Sequence, residues 1–315
     1  MLANDRLANF TFLARKGRAP FGSNPMALRQ QLWLETDRRY REAVLVLRNL
    51  KTQERLVAKS DKTPDFSAEN KEIFIQPKVD LKVDKKAWTA QVRDCSKRAR
   101  RGVATRSGCR LDVSVKTVYY VNSEGSQLQM SWPTSRLSVS VGIKADDGMP
   151  LSRTEERFAP TPGDLPKSDA MEGMIKTVTS ELDALHAAPV VDPFVGPAIL
   201  EGRAAAVFFN EVFGHRIEGH RQKDPNFGKT FTAEVGNAIM PNWLSVSDDP
   251  TIQELNGIKL NGHYRFDDEG VRARPVSLVT KGVLRGFVKG RTPLEGFPAS
   301  NGHGRRSAGL PAVSR

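Results

Sequence analysis

The sequence predicts an α+β protein: N-terminal helices with an antiparallel meander, then a β-rich C-terminal domain packed on one buried helix. Three observations predict it. Residues 26–59 and 85–101 repeat apolar side chains at helical spacing. Residues 111–151 alternate apolar and polar side chains around a turn. Beyond residue 189, short alternating stretches are separated by Gly- and Asp-rich corners.

The elements follow in order. In "MALRQQLWLETDRRYREAVLVLRNLKTQERLVAK", Leu28, Leu32, Tyr40, Val44, Leu47 and Leu50 fall on one helical face and charged residues fill the other. The polar "DKTPDFSAENKE" connects it to a second helix, amphipathic around Trp88, Val92 and Cys95. "LDVSVKTVYYVNSEGSQLQMSW" alternates, turns at "NSEG" and alternates again, as a hairpin does. A further strand runs through Leu137, Val139 and Val141, and "RFAPTPGDLP" interrupts with Pro and Gly. "SDAMEGMIKTVTSELDALHAA" is a helix with His186 in its last turn, where a cation suits the helix dipole. The Pro-broken "PVVDPFVGPAILEG" marks a seam, dividing the chain into an N-terminal α/β domain, residues 1–188, and a β-rich domain, residues 189–315. "RAAAVFFNEVFGHRIEGH" then reads as a strongly apolar, buried helix. Short strands follow in "TFTAEVGNAIM", "LSVSDDPTI" and "GHYRFDDEGVRARPVSLVTKGVLRGFV", with corners at "DDEG" and "TKG".

Composition narrows the function. The chain has 315 residues, 39% hydrophobic and 27% charged, as soluble globular proteins do. No stretch approaches the roughly 18 apolar residues of a membrane span, and the N-terminus lacks the apolar core of a signal peptide. Two cysteines, Cys95 and Cys109, support neither a disulfide framework nor a structural zinc module, so a cytoplasmic location is expected. The net charge of +12 is concentrated around Arg93, Lys97, Arg98, Arg100, Arg101, Arg106 and Arg110. No interleaved aromatics or recognition motif accompany it, so a solvated helix end and loop is the expected reading and a nucleic-acid partner is not.

"FFNEVFGHRIEGH" carries the candidate chemistry. A zinc helix ordinarily presents two His four residues apart on one face, with a Glu as general base. Here Asn210 and His215 are five apart, about 140° from each other on an ideal helix. They converge only if the helix opens, which Gly214 would ease. Glu211, His215 and Glu218 share a face without distortion, and spacing alone is satisfied by a core helix with a hydrogen-bonded Glu211–His215 pair. His220 is a spare ligand candidate. His263 and His303 sit in turns and read as structural. Arg305 and Arg306 are candidates for holding a substrate carboxylate, with solvated loop charges as the plainer reading.

"AAAVFFNEVFGHRIEGH" resembles the signature of the TldD/PmbA metallopeptidase family, whose active members carry H-E-x-x-x-H with this five-residue spacing. "VNSEGSQLQMS", "ADDGMPL", "VGNAIMPNWLSVSDDPTI", "YRFDDEG" and "GFPASNGHGRR" resemble the family too, in family order from about residue 26 onward. The resemblance implies an N-terminal α/β part and a β-rich domain that holds the site. It places Asn210 at the first zinc-ligand position, Glu211 at the general base and His215 at the second ligand. It implies zinc as cofactor, a peptide or unfolded protein as substrate, and a homo- or hetero-oligomer with a family member.

Two departures from the family pattern stand out. Asn210 offers a neutral amide where the family has imidazole, a poor zinc donor by comparison. The family's third ligand, a Cys, belongs downstream of "SNGHGRR", where this chain has none, so it resembles a truncated fragment. The expectation is a metallopeptidase lineage with impaired hydrolysis, the alternative being a non-catalytic partner subunit or decayed copy. Structurally, residues 203–219 should form one buried helix distorted near Gly214, and Asn210, Glu211 and His215 should line one cavity.

Overall fold

A computed structural model describes residues 24–54, 63–64, 66–100, 104–223, 229–306 and 312–315. Helix α1 (Pro25–Glu54) starts where Asn24 accepts the Met26 and Ala27 N–H groups, with Pro25 at the first helical position. Residues 55–59 of the predicted helix lie outside the described residues. Strand β1 (Ile73–Ile75) and helix α2 (Lys85–Ala99) follow, the latter capped by the Asp84 carboxylate on Ala87 N–H.

Strands β2 (Arg106–Val121), β3 (Gln127–Lys144) and β4 (Pro150–Ala159) form the main antiparallel sheet, and helix α3 (Ser168–Ala187) crosses it. The predicted hairpin is present, with Val121 opposite Gln127 across the "NSEG" turn. The two strands expected on either side of residue 133 are one strand, continuous through Pro133. Its other edge carries β1 in parallel at Gln127–Gln129 and β4 antiparallel from Ser135 to Lys144.

Period-two alternation on β3 turns Leu137, Val139, Val141 and Ile143 to one face. The helical stripe Met171, Met174, Ile175, Val178 and Leu182 of α3 covers it, with Cys95 and Ala99 of α2. Each such fully buried side chain contributes about 1.5–3 kcal/mol. Cys95 and Cys109 are joined in a disulfide that ties α2 to β2. By sequence the two cysteines support no disulfide framework, and they form this one cross-link: a spacing of 14 in sequence shows nothing of the helix–strand packing that brings the two sulfurs together. The reducing compartment inferred from cysteine usage loses its support with it. Near this bond Arg98 pairs with Asp94 and Glu172, and Arg110 with Asp112, while Arg93, Lys97, Arg100 and Arg106 are exposed. Arg101 lies outside the described residues. His186 is in the last turn of α3, as expected.

Residues 189–201 form no helix or strand, and Val190, Val191, Phe194, Val195 and Ile199 are largely exposed. Helix α4 (Gly202–Val212), a 3-10 turn (Gly214–Ile217) and short helix α5 (Gly219–Lys223) come next. The remaining strands are short: β5 (Val246–Asp248), β6 (Glu254–Leu255), β7 (Ile258–Lys259), β8 (Val276–Thr280), β9 (Val283–Leu284), β10 (Gly304–Arg306) and β11 (Ala312–Ser314). The "TKG" corner joins β8 to β9 with Lys281 and Gly282 both at positive φ. "TFTAEVGNAIM" forms turns and one isolated bridge, Ala238 to Val283, rather than the expected strands.

A second apolar cluster gathers Phe213, Ile217, Leu278, Val279, Leu284, Phe287, Val288 and Leu294. In a third, smaller cluster, Leu128 and Met130 of the sheet meet Phe266. A polar hub pins the same junction. Arg291, 2% exposed, donates to the Ser67 carbonyl and to both Glu124 oxygens in the "NSEG" turn, and its own N–H donates to Glu269. The guanidinium holds the Glu124 carboxyl below the usual range. Gly304 must lack a side chain here, since a Cβ would stand 2.2 Å from Glu269 Oε2. No helix of the described residues is long and apolar enough to cross a membrane.

Candidate functional site

The candidate segment is broken where the five-residue spacing requires it. Helix α4 ends at Val212, Phe213 caps it, and a 3-10 turn starts at Gly214. The cause lies downstream. Glu218 pairs in parallel with Val288, Gly219 N–H donates to the Val288 carbonyl at 2.9 Å, and Val288 N–H donates to the Ile217 carbonyl at 3.1 Å. Backbone committed to that bridge cannot continue an α-helix. Gly219 permits it, because a Cβ would stand 2.9 Å from the Val288 carbonyl oxygen.

The chain is therefore interrupted at Gly214, where a distortion was expected, but residues 203–219 are not the one helix expected, nor is the helical part buried. No residue of α4 is buried, and Val207 and Phe208 are 60% and 48% exposed. The helix hangs from Phe213 and Ile217, which enter the second core cluster. Its apolar character signalled a face that needs covering, and no described part of this chain covers it.

Asn210, Glu211 and His215 form one connected chain. Asn210 Nδ2 donates to Glu211 Oε1 at 2.9 Å, and Glu211 Oε2 lies 3.7 Å from His215 Nε2. The open turn brings them together, although Asn210 and Glu211 stand exposed at the helix end instead of lining a cavity as expected. His215 Nδ1 lies 2.7 Å from Glu218 Oε1. A carboxylate can only accept, so a Glu218 carboxylate accepts a hydrogen bond from His215 Nδ1 and leaves Nε2 turned toward Glu211. Glu218 is 3% exposed, and Arg221 Nε donates to its second oxygen at 2.5 Å. A buried carboxylate fixing the tautomer of a His is how metal-ligating imidazoles are commonly oriented. Sequence reasoning placed Glu218 on the right face and gave it no role; its signal was the i, i+3 spacing to His215.

The other candidates fall elsewhere. His220 Nε2 approaches Glu218 Oε2 at 3.7 Å, sharing the carboxylate that holds His215. His263 bonds the Leu260 carbonyl at 2.7 Å. His303 is structural, as expected: it is 1% exposed, with Nδ1 on Asn301 and Nε2 3.4 Å from Asp248. Arg305 stacks on Tyr264 and pairs with Asp268, so it is held by the fold, not solvated in a loop.

Against a catalytic zinc, the donor set falls short. Such a site takes three protein ligands and leaves a position for water. Among the described residues no three His, Cys, Asp or Glu side chains are grouped to hold a metal ion. His215 is presented as one imidazole ligand, beside the neutral amide of Asn210, which is bonded to Glu211.

Comparison with known proteins settles the lineage. Residues 69–165 match the PmbA/TldA metallopeptidase central domain, and residues 195–315 match the PmbA/TldA metallopeptidase C-terminal domain. The chain belongs to the TldD/PmbA family. A metalloprotease from Synechocystis is 26% identical over 271 residues, 82% of this chain and 54% of that protein. A metalloprotease from Archaeoglobus fulgidus is 30% identical over 108 residues, 34% of this chain and 23% of that one. The fold is shared with TldE from Thermococcus kodakarensis, at TM-score 0.54 and 18% identity over 82% of this chain and 57% of that one. A Thermotoga maritima protein named for modulation of a DNA gyrase gives TM-score 0.58 at 19% identity, over 81% and 57%. This TldD/PmbA chain thus spans about half the length of the relatives it matches.

Proposed function

We propose that residues 202–223 are the family's catalytic segment in a non-hydrolytic form, and that this chain binds peptide or unfolded polypeptide as a subunit alongside a family member. Asn210 stands in the place of the first zinc ligand, Glu211 in that of the general base and His215 in that of the second ligand. The observation that carries this reading is the Asn210–Glu211–His215–Glu218 chain. It keeps the oriented imidazole of a metal site and loses the second one. Glu211 cannot replace the missing ligand and remain free to take a proton from water. The division near residues 188 and 189 separates the sheet layer from the part that bears this segment.

Metal content after dialysis, measured with zinc-dependent cleavage of a fluorogenic peptide, tests this. The unmodified chain should hold well under one zinc per chain and cut nothing. Asn210→His should raise zinc affinity without restoring cleavage. Glu218→Gln added to that variant should cut the regained affinity by roughly 10–100-fold, as loss of an orienting carboxylate does. Stoichiometric zinc or zinc-dependent cleavage by the unmodified chain would refute the reading.

A further inference from the structure

The outer edge of β3 is interrupted. β1 pairs with it only as far as Gln129 and β4 only from Ser135, so among the described residues Met130–Thr134 carry no strand on that side. A groove of about 490 Å³ opens along these residues. Phe74, Trp132 and Tyr264 give it apolar walls, and Glu254 and Lys259 of the β6–β7 hairpin line it as well. Its size falls within the roughly 300–1,000 Å³ of ordinary ligand pockets.

The backbone of the gap has a definite polarity. Odd-numbered residues of β3 address this edge: Gln127 donates to the Glu72 carbonyl, and Gln129 accepts from Gln76 N–H. Strand alternation turns Ser131 and Pro133 the same way. The Ser131 N–H is already taken by Gln76 Oε1 at 3.2 Å, and Pro133 has none. The edge therefore presents two carbonyls and no free N–H, and part-buried carbonyls need donors.

We propose that this groove binds an extended peptide, which adds as a short strand to β3 between β1 and β4. A peptide strand carries N–H groups on alternate residues, about 7 Å apart, the same period as the carbonyls of Ser131 and Pro133. Its alternate side chains meet the Phe74 and Trp132 wall, and the gap accommodates about five residues over ~17 Å. Lys259, 3.9 Å from Asp164, Arg265, stacked on Phe74, and Glu254 give the groove a mixed charged rim, so the backbone of the gap and its apolar wall select the guest. Because bonds run in one direction only, the edge recruits a short guest without templating open-ended sheet growth. The site stands apart from the segment at 202–223 and does not depend on its metal content.

Fluorescence anisotropy on the whole chain tests the proposal, with a fluorescein-labelled hexapeptide Thr-Val-Asp-Val-Thr-Val as probe. Two further probes carry N-methyl groups on the odd or on the even amides. The parent should bind; one N-methylated set should lose at least tenfold in affinity and the other should keep it. Asn261→Trp, at the exposed rim of the groove, should weaken the parent at least tenfold with an unchanged unfolding midpoint. If that variant misfolds, the two N-methylated probes decide on the unmodified chain. No binding of the parent, equal binding of both methylated probes, or full binding by a folded Asn261→Trp would overturn the proposal.

Discussion

The sheet layer of residues 106–187 and the body of residues 213–315 are held together by different means. In the first, β3 and α3 press two apolar faces together, and the residues responsible recur at the periods of strand and helix. In the second, a smaller apolar cluster is joined to buried polar groups: Asp267, Glu269, Arg291 and His303 are each no more than 6% exposed. Helix α4 lies between and belongs to neither. It is as plainly apolar on one side as α3, yet α3 buries five residues and α4 none. An apolar face states that a partner is required; it does not say that the same stretch of chain supplies one.

The sharpest way to break that comparison is to truncate matching residues on the two helices. Ile175→Ala on α3 should cost about 2–5 kcal/mol by urea unfolding, because it removes buried atoms and leaves a cavity. Val207→Ala on α4 should change stability by no more than about 0.5 kcal/mol, as exposed substitutions do. Equal losses would mean that α4 is covered after all, and the contrast between the helices would fall.

The same contrast decides what was legible in the sequence. Alternation through Leu137, Val139 and Val141 and the stripe through Met171, Ile175 and Val178 are local patterns, and both elements form where expected. The distortion at Gly214 was legible because five-residue spacing is incompatible with a straight helix. The burial of α4 was misread because periodicity reports composition of a face and not its neighbour. The Arg291 hub was invisible, since it joins residues 224 and 167 positions apart with no periodic trace. His303 was legible as structural but not as buried, for the same reason: its setting is made by Asn301, Asp248 and the Lys289 backbone, not by the turn it occupies.

A second prediction sharpens the account of the sheet layer. The Cys95–Cys109 bond closes a short loop between α2 and β2. Cross-links of roughly 15 residues stabilise by about 3 kcal/mol, chiefly by restricting the unfolded chain. Cys95→Ser with Cys109→Ser should lower stability by that amount in urea unfolding. Adding a reductant should lower the unmodified chain to the same level and leave the double variant unmoved. A reductant-insensitive unmodified chain would place the layer's stability in its apolar contacts alone.

The smallest effect expected concerns the polar body, and its sign is diagnostic. Asp267 accepts N–H bonds from Glu269, Val271 and Gly304, which favour its charged form, while burial opposes charge. Burial wins, pushing the carboxyl from 3.8 up to about 6. Between those values the folded chain holds a proton that the unfolded chain has released. The stability this group contributes is therefore fully present below about pH 4 and is lost as pH rises through about 6, by at most about 3 kcal/mol. Asn at this position does not titrate and resembles the neutral acid in shape. Asp267→Asn should thus show its largest deficit near pH 4, about 1–3 kcal/mol for the N–H left without an acceptor. The deficit should shrink or invert by pH 7 in paired urea-unfolding curves, where differences between the two chains cancel the titration of every other carboxylate. A deficit that grows with pH would mean that the three N–H donors outweigh burial. The body would then be held by a charged acceptor at neutral pH, and its contrast with the apolar sheet layer would be greater still.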